Sequence, residues 1–257
     1  MEKKIRPSGK DRLVQMVLIA LFAAISYLVL LFRIPYPAPV GHPFLHFGNA
    51  VVILAALLLG GWQGGLAGAI GMGINDLVYG YGYATIKTII LKFGIGLFAG
   101  LVARLGRKHP DRSPRKWLDA ASVVSLALGI VLLIGKLSGA EAFAGIAPLS
   151  YIFLLILGAG LGCVALLSLR YPSLTNERLF TVLGATAGIA FNVVGEFVGG
   201  AVMKRIAGAE WPAAMLASLM SLPATFINGA FSIVGAVLLY IPIKTALRRA
   251  HLDSSLG

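Results

Sequence analysis

Four ionisable side chains lie inside long apolar stretches of this chain, where a charge is costly. They are Asp76, Lys87, Lys92 and Glu196, and the amides of Asn75, Asn192 and Asn228 lie in the same stretches. At the centre of a bilayer an ionisable group costs about 2.5–3.5 kcal/mol on insertion scales. We therefore expect these groups to pair with one another or to contact a polar solute.

Asp76 and Lys87 flank the turn between the third and fourth apolar segments, and Tyr79 lies in that turn. Two interpretations are open: an ion pair that ties the two helices together, or contact of one or both groups with a polar solute. Lys92 lies about one and a half turns deeper, several residues from the nearest interface, which disfavours snorkelling to water. Its expected partner is Glu196 or a solute.

The segment that joins the first two apolar stretches, residues 33–46, is rich in proline. Its four prolines are Pro35, Pro37, Pro39 and Pro43. Proline fixes φ and favours an extended backbone, and a stiff, aromatic-bearing loop above a helix bundle is suited to act as a lid. His42 and His46 have no carboxylate or thiol nearby to complete a ligand set, so we expect no metal there.

Motifs of soluble enzymes are absent from the sequence. It has no His-Glu-x-x-His, no Gly-x-Ser-x-Gly and no Walker loop, so the chain does not hydrolyse ATP by itself and we expect no cofactor. Its single cysteine, Cys163, excludes a disulfide framework. Two classes of membrane protein stay open on these residues alone. One is a self-sufficient carrier, which an inverted repeat would favour, although we detect none. The other is a membrane-embedded enzyme that uses Asp76, Lys92 and Glu196.

The composition determines which elements must position these side chains. Of the 257 residues, 58% are hydrophobic and 12% are charged, whereas soluble domains carry about 25% charged residues. The basic N-terminus before Leu13 is reminiscent of a signal peptide, but the first apolar run is too long and no small-x-small cleavage site follows it, so we expect a retained helix. The pattern predicts an all-α integral membrane protein with eight hydrophobic segments, at 13–33, 47–61, 64–80, 84–105, 117–137, 146–169, 179–203 and 213–243.

The basic residues give the orientation of these segments. Threading eight spans in order places sixteen of the 22 Lys and Arg residues on one side, in the N-terminal segment 3–12, the loop 104–116, the loop 170–178 and the C-terminal segment 244–249. Only Arg33, Lys136, Lys204 and Arg205 fall on the other side. Positive charge is retained in the cytoplasm, so we predict that both termini are cytoplasmic.

Small and polar residues recur on one face of the seventh segment and on one face of the eighth. These stripes are Gly188, Asn192, Gly195, Glu196 and Gly199, and Ser221, Thr225, Asn228, Ser232 and Gly235. Residues three and four apart share a helix face, and small residues let membrane helices approach closely. We expect the two stripes to face each other or a wet cavity.

Several ordered motifs resemble the S components of energy-coupling-factor (ECF) vitamin transporters, and they are closest to the branch for riboflavin and hydroxymethylpyrimidine-type substrates. The resemblance is strongest over 45–100, in the motifs Leu45-His46-Phe47-Gly48-Asn49, Gly65-Leu66-Ala67-Gly68, Asn75-Asp76-Leu77 and Ile90-Leu91-Lys92-Phe93-Gly94. Leu222-Pro223 with Asn228 resembles their last helix. Ala20-x-x-x-Ala24 is similar to the small-residue motif that those proteins present to a transmembrane coupling subunit. This sequence departs from that branch at Asn49, Ile95 and Thr225, where the branch often has Asp, Glu and Asn, respectively.

The resemblance implies a substrate-capture subunit that binds a vitamin from outside, beneath the 34–46 loop, and works with a coupling subunit and two cytoplasmic ATPases in the cell membrane. We interpret 1–257 as one membrane domain, with a six-helix core at 13–108 and 176–249 and an inserted helical pair at 111–172. Ala20 and Ala24 are expected to contact the coupling subunit. The expected solute-binding residues are His46, Asn49, Asp76, Tyr79, Lys87, Lys92, Asn192, Glu196 and Asn228.

Overall fold

The computed structural model describes residues 9–36, 44–82, 84–139 and 148–249. Within these ranges the chain forms eight α-helices, one for each of the eight predicted hydrophobic segments. They are α1 (Gly9–Leu28), α2 (Gly48–Leu59), α3 (Gly61–Val78), α4 (Ala84–Lys108), α5 (Arg115–Leu137), α6 (Pro148–Arg170), α7 (Asn176–Ile206) and α8 (Trp211–Arg249). A 3₁₀ turn (Val29–Leu31) follows α1, and two short strands, β1 (Ile34–Pro35) and β2 (Phe44–Leu45), lie between it and α2.

Six of these helices, α1 and α4 to α8, are long and apolar enough to cross a membrane. The chain is therefore a multi-pass helical membrane protein. α2, with 12 residues, and α3, with 18, are not among the six. The number of crossings thus stays a prediction, although every predicted segment forms a helix.

α2 is the central helix of the bundle. All of its residues, Gly48–Leu59, are buried. A helix that is apolar on every side has no solvent-facing stripe, and burial by other helices is its stable environment. α2 packs against α1, α3, α4 and α8, and its tight connection to α3 turns at Gly60, whose φ of 103° suits glycine.

α4 and α7 pack closely along much of their length. Two glycines of α7 meet α4 directly: a Cβ on Gly184 would lie 2.5 Å from the carbonyl oxygen of Ala99, and one on Gly188 would lie 2.7 Å from that of Ile95. The polar stripe of α7 therefore faces α4, whereas that of α8 faces β2 and α2 through Asn228 and Gly235. Of the two expected arrangements, direct contact between the stripes is wrong, because the glycines of α7 bring its stripe against α4. The other arrangement, in which a stripe faces a wet cavity, stays a prediction.

α5 and α6 form a hairpin beside the other helices. Ser122 donates a hydrogen bond to the carbonyl of Gly158 at 2.7 Å, and Ser125 donates one to the carbonyl of Leu154 at 2.8 Å. The hairpin contacts the rest of the bundle mainly where α6 packs on α8. A small core around Leu118 and Leu161 includes Leu179 at the start of α7.

β1 and β2 pair antiparallel, with Ile34 opposite Leu45 and Pro35 opposite Phe44. This ladder closes the loop between α1 and α2 at its base. Three of the four prolines (Pro37, Pro39 and Pro43) and His42 lie outside the described residues, as do Tyr83 and the N-terminal basic residues Lys3, Lys4 and Arg6.

Candidate functional site

The predicted polar residues come together at one end of the bundle. This end is formed by the β1–β2 ladder, the start of α2, the turn from α3 to α4, the C-terminal half of α7 and the N-terminal half of α8. Lys92 lies within electrostatic range of Glu196, Lys87 and Asp76, and His46 lies within range of Lys92 and Arg33. Residues from five helices and the ladder thus surround one region.

Lys87 and Glu196 form an ion pair that joins α4 to α7. The Lys87 Nζ lies 2.6 Å from a carboxylate oxygen of Glu196. The alternative in which Lys87 pairs with Asp76 is therefore wrong for this structure. α7 brings Glu196 nearer because its glycines let it approach α4, and Gly199 packs directly on the aliphatic part of Lys87. Each partner is about a quarter exposed.

Lys92 is the most deeply placed charge of the site, with 6% of its surface exposed. Its Nζ donates a hydrogen bond to Oδ1 of Asn192 at 3.2 Å, one helix turn from Glu196. The predicted partner Glu196 is paired with Lys87 instead, and its charge acts on Lys92 from a greater distance. An ammonium group has three donors, and Asn192 accepts one of them. The remaining donors have no hydrogen-bond partner among the described residues, so they are available to a solute.

Arg33 belongs to this site, although it was not among the predicted binding residues. Its guanidinium lies 4.7 Å from the ring centre of Phe44 and 4.2 Å from that of Tyr79, both within the range of cation–π attraction. Its Nε donates to the carbonyl of Leu30 at 2.9 Å, and its terminal nitrogen reaches Oδ1 of Asn75 at 3.5 Å. Its position in the sequence could have marked it, because Arg33 is one of four basic residues on the side that is predicted to carry few positive charges.

His46 is neutral. The backbone N–H of Gly48 donates to its Nδ1 at 3.1 Å, which places the ring proton on Nε2. Removal from solvent, with smaller effects of the charges on Lys92 and Arg33, lowers the pKa of His46 to about 3. Its Nε2–H is therefore a donor for a solute rather than a charge.

Asn228 fastens the β-ladder to α8. Its Oδ1 accepts from the backbone N–H of His46 at 3.0 Å, and its Nδ2 donates to the carbonyls of Phe44 at 3.0 Å and Ala224 at 3.2 Å. The amide is thus occupied by backbone groups at both ends. Tyr36 adds a weaker tie, from its hydroxyl to the carbonyl of Ala224 at 3.4 Å, and burial raises the pKa of Tyr36 to about 12.

Two buried amides at this end have atoms without a hydrogen-bond partner among the described residues. They are Oδ1 of Asn49, an acceptor, and Nδ2 of Asn75, a donor. A buried polar atom without a partner costs about 1–3 kcal/mol. A polar solute that offers both a donor and an acceptor would relieve both atoms. The sequence marked Asn75 as a polar group within an apolar stretch, but Asn75 was not in the set of expected solute-binding residues.

The other predicted residues are also located. Tyr79 contacts Arg33, and the Asp76 side chain forms no hydrogen bond or ion pair within the described ranges. Ala20 and Ala24 are exposed on one face of α1, beside the exposed side chains of Val17 and Leu21. No group of three potential metal ligands assembles in the part of the chain that the structure describes.

Fold and site together define a multi-pass helical membrane protein with a buried cluster of charged and amide groups at one end. Residues 10–147 match the family model for the S component of the ECF-type riboflavin transporter. Because this match covers more than half of the chain, the chain belongs to that family, which is a family of transporter components.

Two individual proteins are also similar. ThiT from Listeria monocytogenes has a related fold, with a TM-score of 0.52 and 15% sequence identity over 92% of this chain and 97% of ThiT. A 77-residue stretch is 35% identical to a Pyrococcus woesei protein described as "Uncharacterized protein in gap 3'region". The match covers 30% of this chain, and the chain spans about half the length of that curated relative.

Proposed function

We propose that this chain is the substrate-capture subunit of an ECF transporter and takes up a vitamin or vitamin precursor. The observation that carries the proposal is the convergence of Arg33, His46, Lys92 and Asn192 beneath the β1–β2 ladder, at one end of a bundle of the S-component family. Charged groups are rarely buried in a membrane bundle unless they bind something or pair. Lys92 has donors to spare, which favours binding.

The solute is a polar heterocycle, and riboflavin is the first candidate because the family is named for it. The free donors at Lys92 and His46 suit ring nitrogens or carbonyl oxygens, whereas the free oxygen of Asn49 suits a ring N–H. Tyr79 and Phe44, held by Arg33, offer ring faces for stacking. Asn228 contributes by holding β2 over the site rather than by touching the solute.

The same proposal includes partners and topology. The chain has no phosphate-binding loop, so two cytoplasmic ATPases and a transmembrane coupling subunit supply the energy. Ala20 and Ala24 contact the coupling subunit. All eight helices cross the cell membrane, with α2 shielded inside the bundle, and both termini are cytoplasmic. The α5–α6 hairpin is an insertion into a six-helix core.

Ligand binding is tested on the purified wild-type protein in two ways. Native mass spectrometry of protein from the expression host identifies any solute that remains bound. Titration of the emptied protein with riboflavin, followed by flavin fluorescence, gives its affinity, and hydroxymethylpyrimidine serves as a competitor. We expect retained or titratable binding of one of these compounds. If the protein binds neither compound and retains no solute, the capture function is wrong.

Partnership is tested separately by co-purification. We expect the tagged chain, expressed in its native host membrane, to bring down two ATPases and a membrane subunit. A chain that binds solute and transports it in vesicles without these proteins would be a self-sufficient carrier instead.

A further inference from the structure

A large apolar groove separates the α5–α6 hairpin from the rest of the bundle. Its volume is about 770 Å³, and it is lined by side chains of α4, α5, α6, α7 and α8. It contains none of the residues of the candidate solute site. Ligand sites in proteins have volumes of about 300–1,000 Å³, so the groove is large enough for a bound molecule.

The lining offers little to a polar ligand. Its two hydroxyl-bearing residues are Ser125 and Thr186. Ser125 donates to the carbonyl of Leu154 at 2.8 Å, and Thr186 donates to the carbonyl of Val182 at 2.9 Å. Both hydroxyls are therefore satisfied within the protein. The remaining lining is hydrocarbon and aromatic, which selects an apolar occupant.

The groove runs along the bundle axis. Its lining on α7 extends from Phe180 to Val194, which corresponds to about 21 Å along the helix. The hydrocarbon core of a bilayer is about 30 Å thick, so the groove passes the midplane from one interface. An extended chain that enters from that interface fits this length.

One end of the groove carries positive charge. Leu105 and Trp117 line this end, and Arg104 and Lys116 are their exposed neighbours in sequence. The stretch 104–119, which comprises the end of α4, the loop after it and the start of α5, holds six basic residues and two acidic ones. Asn176 donates to the carbonyl of Pro110 at 2.8 Å, which holds this loop against the start of α7, four residues from Phe180. Tryptophan prefers the membrane interface, where lipid headgroups lie.

We propose that this groove binds one acyl chain of an anionic phospholipid, whose phosphate group contacts Arg104 and Lys116. The apolar lining takes the chain and the basic loop takes the headgroup. The lipid belongs to the leaflet that faces this loop. It fills the space behind the hairpin and so contributes to the contact of α5 and α6 with the other helices.

The charge at one end of the groove favours a phospholipid over a helix of another protein as the occupant. An acyl chain with a phosphate headgroup matches both the apolar lining and the adjacent positive charge, whereas an apolar helix matches only the lining. An acyl chain also needs no hydrogen-bonding partners.

The proposal is tested by lipid retention on the whole chain. The protein is reconstituted in nanodiscs that contain equal amounts of phosphatidylglycerol and phosphatidylcholine. It is then released from them, and native mass spectrometry identifies the lipids that stay bound. We expect one retained phospholipid per chain, enriched in phosphatidylglycerol. Ala190→Phe places a ring at the groove wall and should lower retention about tenfold. Ala127→Phe, at an exposed alanine of α5 outside the groove, should retain lipid like the wild type.

The headgroup is tested with Arg104→Gln and Lys116→Gln. Each should lower the preference for phosphatidylglycerol about fivefold without lowering retention of phosphatidylcholine. Size-exclusion profiles and melting temperatures identify variants that fail to fold. Equal retention by Ala190→Phe and wild type, or a retained apolar molecule that is not a phospholipid, would overturn the proposal. Equal retention of both lipids by the wild type would overturn the assignment of Arg104 and Lys116.

Discussion

Lys92 determines the chemistry of the site at the scale of single residues. It is buried and shares one hydrogen bond with Asn192, while the nearby carboxylate Glu196 is paired with Lys87. Burial of an ammonium group whose donors are unused is unfavourable, because the group has lost its hydration, and hydrogen bonds to a ligand or to water offset this loss. We therefore expect Lys92 to contribute more to solute binding than the Lys87–Glu196 pair does.

The Lys92→Ala variant should bind the native solute about 10- to 100-fold more weakly. The physical reason is the loss of hydrogen bonds from a charged donor, which contribute about 1.5–3 kcal/mol each. Isothermal titration calorimetry on the purified protein measures the change. Lys108→Ala, at the opposite end of α4, serves as the control and should bind like the wild type. Unchanged affinity in Lys92→Ala would give Lys92 a purely structural role.

His46 makes stability depend on pH. Its pKa is about 3 in the folded chain and about 6.5 in an unfolded one, so between these values only the unfolded state takes up the proton. The free energy of unfolding is therefore unaffected by His46 above pH 6.5 and falls as the pH drops below it, by at most about 1.4 kcal/mol per pH unit.

His46→Gln should flatten this pH dependence, because it removes the titrating group. Thermal unfolding of the wild type and the variant at pH 7 and pH 5 measures the difference. His109→Gln, in the loop between α4 and α5, is the matched control and should keep the wild-type slope. An equal slope in His46→Gln and the wild type would mean that folding does not lower the pKa of His46.

At the scale of elements, the sequence predicted which helices exist better than which helices touch. The lengths of the apolar runs predicted all eight helices, because the hydrophobicity of a run is a property of that one helix and needs no knowledge of its neighbours. The partner of a helix depends on shape. Gly184 and Gly188 could have faced any neighbour, and only the folded chain shows that they meet the backbone of α4.

The same limit explains what was missed in the site. The polarity of Lys92, Asn192 and Glu196 marked them within their apolar runs, and they do lie together. Arg33 belongs to the site because its guanidinium contacts the rings of Phe44 and Tyr79, and these contacts form only when the chain folds. Asn228 was predicted to bind the solute, but its amide is occupied by backbone groups of β2 and His46, which no local pattern indicates.

The α4–α7 contact gives a prediction at this scale. Gly188→Leu should lower the melting temperature, because its Cβ would lie 2.7 Å from the carbonyl oxygen of Ile95 and overpacking of this kind costs about 1–3 kcal/mol. It should also weaken solute binding, since Asn192 lies one turn away. Gly160→Leu is the control, because a Cβ on Gly160 of α6 has nothing within 4 Å. A melting temperature equal to that of the control would show that α7 can move away from α4 at little cost.

At the scale of the whole molecule, the solute site and the expected coupling surface are separate. The site lies beneath the β1–β2 ladder, whereas Ala20 and Ala24 are exposed on the outer face of α1. Small residues allow close helix contact in a membrane without a hydrophobic driving force. The two functions should therefore be separable by mutation.

The double variant Ala20→Leu with Ala24→Leu should lose solute uptake by about tenfold or more and should bind solute like the wild type, because two bulky side chains keep a partner helix at a distance. Uptake is measured in cells that carry the full transporter, and binding is measured on purified protein. Ala159→Leu with Cys163→Leu, an exposed pair at the same spacing on α6, is the matched control. If that variant also loses uptake, the hairpin shares the coupling contact. If the α1 variant loses binding, its alanines stabilise the bundle rather than a partner, and the coupling surface must lie elsewhere.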